Sequence, residues 1–145
     1  MNFKKIGSLI TVVFLTGCAG ETPILGVTAG KLIPCPDKPN CVNSQIVDNE
    51  HFIKPIIISK THIEPKEQLT HIINGIKSAE IKEVKNDYLR VEFVSAVFGF
   101  VDDVEFYFPA STSNKVVVDV RSASRVGHSD FSVNRKRIEE IRNKL

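Results

Sequence analysis

The chain has 145 residues, 42% of them hydrophobic and 25% charged, with 8 Gly and 7 Pro. That size and balance suit one globular domain and exclude disordered, collagen-like, low-complexity and coiled-coil classes. The formal net charge of +2 comes from the first 17 residues, because 19 basic side chains less Lys4 and Lys5 leave 17 against 17 acidic ones. A neutral remainder lacks the clustered cations that neutralise phosphates, so nucleic acid is excluded as a partner.

Residues 1–17 read as an export signal. Lys4 and Lys5 supply the positive start, and the apolar run Ile6 to Leu15 is too short for a bilayer core that needs roughly 20 helical residues. Leu15-Thr16-Gly17-Cys18 resembles the bacterial lipobox, in which the cysteine receives diacylglycerol before cleavage. Cys18 is therefore the expected lipidation site, with palmitate-type acyl chains anchoring the protein to a membrane. Ala19, in place of an Asp, points to the periplasmic face of the outer membrane where the organism has one. Residues 18–34 carry Gly20, Pro23, Gly26, Gly30 and Pro34, which punctuate regular structure and suggest a lipid-anchored tether.

The globular part is expected over residues 35–145. With Cys18 lipidated, Cys35 and Cys41 remain as a pair that an oxidising periplasm would join. The loop so closed is worth about 2.4 kcal/mol on a chain-entropy basis. A strand is predicted over Phe52 to Ser59 with Pro55 near its start. A helix is predicted over residues 65–79, with Pro65 at a first-turn position and Leu69, Ile72, Ile73 and Ile76 on one face. Ile81 to Val84 reads as a short strand.

From Tyr88 the period becomes two. Leu89, Val91 and Phe93 alternate with Arg90 and Glu92; Val104, Phe106 and Phe108 alternate with Asp103, Glu105 and Tyr107; Val116, Val118 and Val120 alternate with Val117, Asp119 and Arg121. Short links through Gly99 and through Pro109 to Asn114 suit hairpins. A last helix carries Ile138, Ile141 and Leu145, with Ser129 or Asp130 near its cap. The order predicts a single-domain α+β fold: an antiparallel sheet of about four to five strands with two helices packed on one face. The other face is polar, either solvated and laced with opposite charges or curved into a ligand site.

Three segments carry a family resemblance: Cys35-Pro36-Asp37-Lys38-Pro39-Asn40-Cys41; Phe100-Val101-Asp102-Asp103-Val104-Glu105-Phe106; and Val120-Arg121-Ser122-Ala123-Ser124-Arg125-Val126-Gly127-His128-Ser129-Asp130, followed by Asn134-Arg135-Lys136-Arg137. Over residues 34–145 the chain resembles the domain of unknown function 1499 family. It departs from that pattern at His128, where Tyr is usual, at Ser132, where Gly is usual, and at Lys38, where a small residue is common. The resemblance implies a fold and an envelope setting but no activity.

The candidate ligand-binding residues are Arg121, Arg125, His128, Arg135, Asp102, Asp103 and Glu105. Arginine's planar fork suits both an internal carboxylate and a bound anion, so these residues form either a structural network or a site for an anionic small molecule or lipid headgroup. Arg135, Lys136 and Arg137 fall in the first turns of the last helix, where the macrodipole disfavours cations, and some group should compensate them. No metal motif, cofactor fingerprint or nucleophile elbow is present. An extended chain would send Asp102 and Asp103 to opposite faces, which argues against a shared-proton dyad. The reading is a non-catalytic binding or accessory module of the cell envelope. A hydrolase or transferase using Asp103, Arg125 and His128 is the first alternative, and a purely structural lipoprotein the second.

Overall fold

Period-two alternation builds the centre of the fold, seen here in a computed structural model that describes residues 20–145. The export segment, the lipobox and Cys18 lie outside the described residues. Three long strands, β6 (Tyr88–Val94), β7 (Val101–Tyr107) and β8 (Lys115–Ser124), pair antiparallel in the order of the chain. They follow β1 (Val27–Thr28), β2 (Lys31–Leu32), β3 (Cys41–Asn43), β4 (Ile56–Ser59), α1 (Pro65–Asn74) and β5 (Ala79–Val84), and precede α2 (Val133–Arg142).

The main sheet has six strands, in the order β3-β8-β7-β6-β5 with β4 also on β8. It is thus larger than the four to five strands expected. At ten residues, β8 offers one edge to two short partners: β4 pairs with its first half (Ile56 opposite Val118) and β3 with its second (Val42 opposite Ser122). Three-residue β3 carries too little sequence to display a period, and its pairing is set by β8.

One face of the sheet packs against both helices. Leu89, Val91 and Phe93, Val104 and Phe106, and Val118 and Val120 meet Leu69 and Ile73 of α1 and Ile138 and Ile141 of α2 in one core. Helix α1 starts at Pro65 as expected but ends at Asn74 rather than 79. The amides of Gly75 and Ile76 donate to the carbonyls of Ile72 and Ile73, three-residue bonds that tighten and close the last turn. Ile76 still packs on the core from the following loop. Strand β4 likewise begins after Pro55, since proline cannot donate to the ladder, and Phe52 makes only an isolated bridge to Asn43.

Regular structure also starts earlier than Cys35. Strands β1 and β2 form a hairpin within residues 18–34, the stretch expected as a tether, and Leu32 is buried.

Helix α2 is entered through two left-handed residues, Phe131 (φ 53°) and Ser132 (φ 64°). A Cβ in that region is disfavoured by roughly 1–2 kcal/mol. Ser132→Gly should therefore stabilise the domain by about 0.5–1 kcal/mol after the added freedom of the unfolded chain is counted. A urea midpoint that stays put or falls would contradict this.

Candidate functional site

The face turned away from the helices carries Arg90, Glu92, Asp103, Glu105, Asp119 and Arg121, the polar set read from alternation, joined by Tyr88. Register places Arg90 opposite Glu105, Glu105 opposite Arg121, and Glu92 opposite Asp103. Two carboxylates directly across a strand pair repel, so the last pairing requires cations. Arg125 supplies one: its Nε and Nη2 donate to the two oxygens of Asp103 at 2.7 and 2.9 Å, and Nη2 also reaches Glu92. Arg90 supplies another, donating from Nη1 to Glu92 at 3.1 Å and to Asp103 at 3.2 Å. Burial pushes the Glu92 carboxyl up, but hydrogen bonds and charge from Arg125, with help from Arg90 and Lys82, outweigh it and hold the group below its usual value.

Glu105 centres a second knot with no surface exposed. It accepts from the Tyr88 hydroxyl at 2.8 Å, from Arg121 Nη1 at 3.2 Å and from the Gly26 amide at 3.0 Å. Burial, then the charge of Glu105, raises the Tyr88 phenol far above its ordinary value, so it stays a proton donor. Burial lowers the Arg121 guanidinium from its usual value, against the pull of Glu105.

The polar face is not left to solvent. The stretch from Gly20 to Gln45 covers it, with the Gly26 amide on Glu105 and the Ser44 hydroxyl and Gln45 amide donating to Asp119 at 2.9 and 2.8 Å. Asp103 is 1% exposed and Arg121 5%. The expectation of a solvated face is thereby corrected, while the opposite charges expected to lace it are present: long-range contacts from the N-terminal stretch, which alternation does not report, roof the sheet.

Asp102 stands on the opposite face from Asp103, as the extended chain requires, and accepts from Arg137 Nη2. Asn134 sits beside that pair, fully buried. Its Nδ2 donates to the Asn40 carbonyl, Ser124 Oγ and Asp130 Oδ2, and its Oδ1 accepts from Ser122 Oγ and from Arg137 Nη1 at 2.7 Å. Two of the three cations at the start of α2, Arg135 and Arg137, are compensated in this way. Arg137 meets Asp102, Arg135 donates to the Glu50 and Phe52 carbonyls, and Asp130 accepts the Ser132 and Asn134 amides as the cap. His128 is exposed in the loop before α2, apart from Asp103.

Cys35 and Cys41 are joined, with Cα atoms 5.7 Å apart. Their loop walls a cavity of about 400 Å³ whose lining includes Lys38, Asn40, Asp103, Arg121, Ala123 and Arg125. Its charged lining is three cations, Lys38, Arg121 and Arg125, against two acids, Glu21 and Asp103. Arg121 Nε and Asn40 Oδ1 are buried there without a hydrogen-bond partner. Sequence reasoning missed Asn40 and Asn134 as buried polar anchors; their places inside two of the motifs were the only signal.

His51 ties the same loop down from outside, its Nδ1 bonded to Asp48 at 2.9 Å and its Nε2 to the Lys38 carbonyl at 3.0 Å. Both bonds together require the doubly protonated ring. Burial lowers its affinity for the proton, but the Lys38 carbonyl and Asp48 prevail and leave it raised above 6.5. This tie is fully present below the ordinary histidine value and is lost as pH rises through the raised one. Titration followed by NMR should give His51 a midpoint above 6.5, with amide exchange at Lys38 quickening beyond what pH alone produces as that midpoint is crossed. A midpoint at or below the ordinary value would contradict it.

A family model described as "Protein of unknown function (DUF1499)" matches residues 31–145. No curated protein and no solved structure matches the chain.

Proposed function

Since the chain belongs to the DUF1499 family, whose description carries no activity, we propose its function from its own residues: a lipid-anchored envelope protein whose domain binds an anionic headgroup without catalysis. The observation that carries this reading is the pair of orphaned atoms, Arg121 Nε and Asn40 Oδ1, at residues lining one cavity. Buried polar groups without partners are uncommon in folded proteins. One donor and one acceptor call for a ligand that accepts from the first and donates to the second, such as a phosphate or hydroxyl of a headgroup. With Arg121 and Arg125 engaged by Glu105, Asp103 and Glu92, the cation left to meet an anion is the exposed Lys38 of the cavity wall.

The binding reading is favoured over the hydrolase or transferase by what holds Asp103. Two guanidiniums, of Arg125 and Arg90, engage both oxygens of that carboxylate in fixed hydrogen bonds, so neither oxygen is free to exchange a proton with a substrate. Among the described residues no helix is long and apolar enough to cross a membrane; the attachment proposed at Cys18 rests on the lipobox-like run Leu15-Thr16-Gly17-Cys18.

Native mass spectrometry of the full protein, extracted gently from its own envelope, tests the proposal. The expected result is a noncovalent adduct that is lost on denaturation and weakened in Lys38→Ala, a change at an exposed position of the cavity wall. Ligand-free protein would leave the cavity a water-filled seam and overturn the binding reading.

A further inference from the structure

We propose that the end of the sheet where the described chain begins docks directly on an anionic lipid bilayer, with the β6–β7 hairpin tip as the inserting element. The proposal rests on the lipid anchor assigned above to Cys18.

Gly20 fixes where the chain enters the domain. A Cβ on it would stand 2.9 Å from both Arg125 Cβ and Val126 Cγ1. The Arg125 amide in turn donates to the Val101 carbonyl at 3.0 Å, and Val101 is the first residue of β7. Gly20 therefore lies against the residue bonded to the root of the hairpin. Only Ala19 lies between Gly20 and Cys18, and the two steps span at most about 7 Å when extended. Acyl chains on Cys18 would put the bilayer surface at this end of the sheet, with no room for a long stand-off.

This end presents apolar side chains outward. Val97 is 82% exposed and Phe98 69%, and the Phe98 ring stacks on that of Phe100 at 5.4 Å. The tip is held in this shape: Ser95 exchanges backbone bonds with Phe100 and Gly99, and its Oγ accepts the Phe100 amide at 2.9 Å. Phe131, 86% exposed, and Val133 follow the same end of β8. Val133 shares a cavity of about 430 Å³ with Val94 and Ala96 at the hairpin's base, so the two apolar exposures flank one groove. Lys136, Arg137 and Lys144 line it against Asp102 and Glu140, and with Arg137 bound to Asp102 two lysines face one remaining acid, a balance that favours anionic headgroups. Clustered exposed aromatics mark an interaction surface, and the nearness of the anchor names the surface as lipid.

The chain contains no tryptophan, so an introduced indole is a sole reporter. The full chain carrying Phe98→Trp is compared with the full chain carrying Ala110→Trp, at the opposite end of β7 and roughly 20 Å away at about 3.4 Å per residue. Both are reconstituted in phosphatidylethanolamine–phosphatidylglycerol vesicles with brominated acyl chains, and the denatured mass reports acylation of Cys18. The expected result is acylated protein in which the Phe98→Trp indole emits at shorter wavelength and is quenched at least twofold, with the Ala110→Trp indole unquenched. Acylated protein with equal quenching at the two positions would overturn the docking while leaving the anchor. Unacylated protein quenched selectively at Phe98→Trp would uphold the docking and overturn the anchor, and unacylated protein without quenching would overturn both. Val97→Trp repeats the measurement should Phe98→Trp disturb the ring stack.

Discussion

Glu105→Ala should cost about 3–5 kcal/mol of stability, because removing one partner of a buried ion pair leaves the other charge uncompensated. Arg121, 5% exposed, is the stranded charge. The loss extends further, since the Tyr88 hydroxyl and the Gly26 amide give up the same acceptor. Against a total of roughly 5–15 kcal/mol for a domain, the melting temperature should fall by about 10–20 °C. Glu105→Gln keeps an acceptor for Tyr88 and Gly26 but removes the charge, and should lie between wild type and alanine. A loss below about 1 kcal/mol, the median for solvent-exposed pairs, would show that the knot is open to water.

Asn134→Ala is expected to follow closely, at about 3–4 kcal/mol, from several hydrogen bonds near 1 kcal/mol each and the desolvation of partners left unsatisfied. Asn134 joins three parts of the chain: α2 itself, Ser122 and Ser124 of β8, and the Asn40 carbonyl next to Cys41. Chemical denaturation measures the loss. Amide exchange at Asn40 and Cys41 should rise more than at the β5–β6 pairing, which Asn134 does not touch. A uniform rise, or a loss below about 1 kcal/mol, would contradict its role as the pin between α2 and the cysteine loop.

The legible part of the fold was the part with a period. Leu89, Val91 and Phe93 against Arg90 and Glu92 fixed both the strand and its faces, and the 3.6-residue period placed α1 and its buried Leu69 and Ile73, while Ile72 stays half-exposed and Ile76 packs from beyond the helix end. Partners across long separations were harder to read. Alternation sends Arg90, Asp103 and Glu105 to one face, yet nothing in those strands announces that residues 20–45 cover it. The covering contacts, such as the Gly26 amide on Glu105, are made by backbone and single side chains without a repeating pattern. The pairings Arg125 with Asp103 and Arg121 with Glu105 were within the expected network, whereas Arg137 with Asp102 was not, because it depends on how α2 crosses the sheet. Arg135, expected among the carboxylate or anion partners, instead binds two carbonyls.

The motif residues make physical sense together. The cysteine loop, the acidic strand, the arginine-rich end of β8 and the start of α2 meet around Asn40, Asp102 and Asn134. The density of arginine in that segment is first a folding device, and a ligand would meet only the edge of it that the cavity exposes.

These arginines are committed to the chain's own carboxylates. Equilibrium unfolding of Asp103→Ala, Arg125→Ala and the double variant tests it most directly. If the two groups hold each other, each single change strands a buried charge, and the double variant should be less destabilised than the sum by about 2–3 kcal/mol. Losses that add to within about 0.5 kcal/mol would mean independent groups, and would return Arg125 to the role of a free ligand-binding cation.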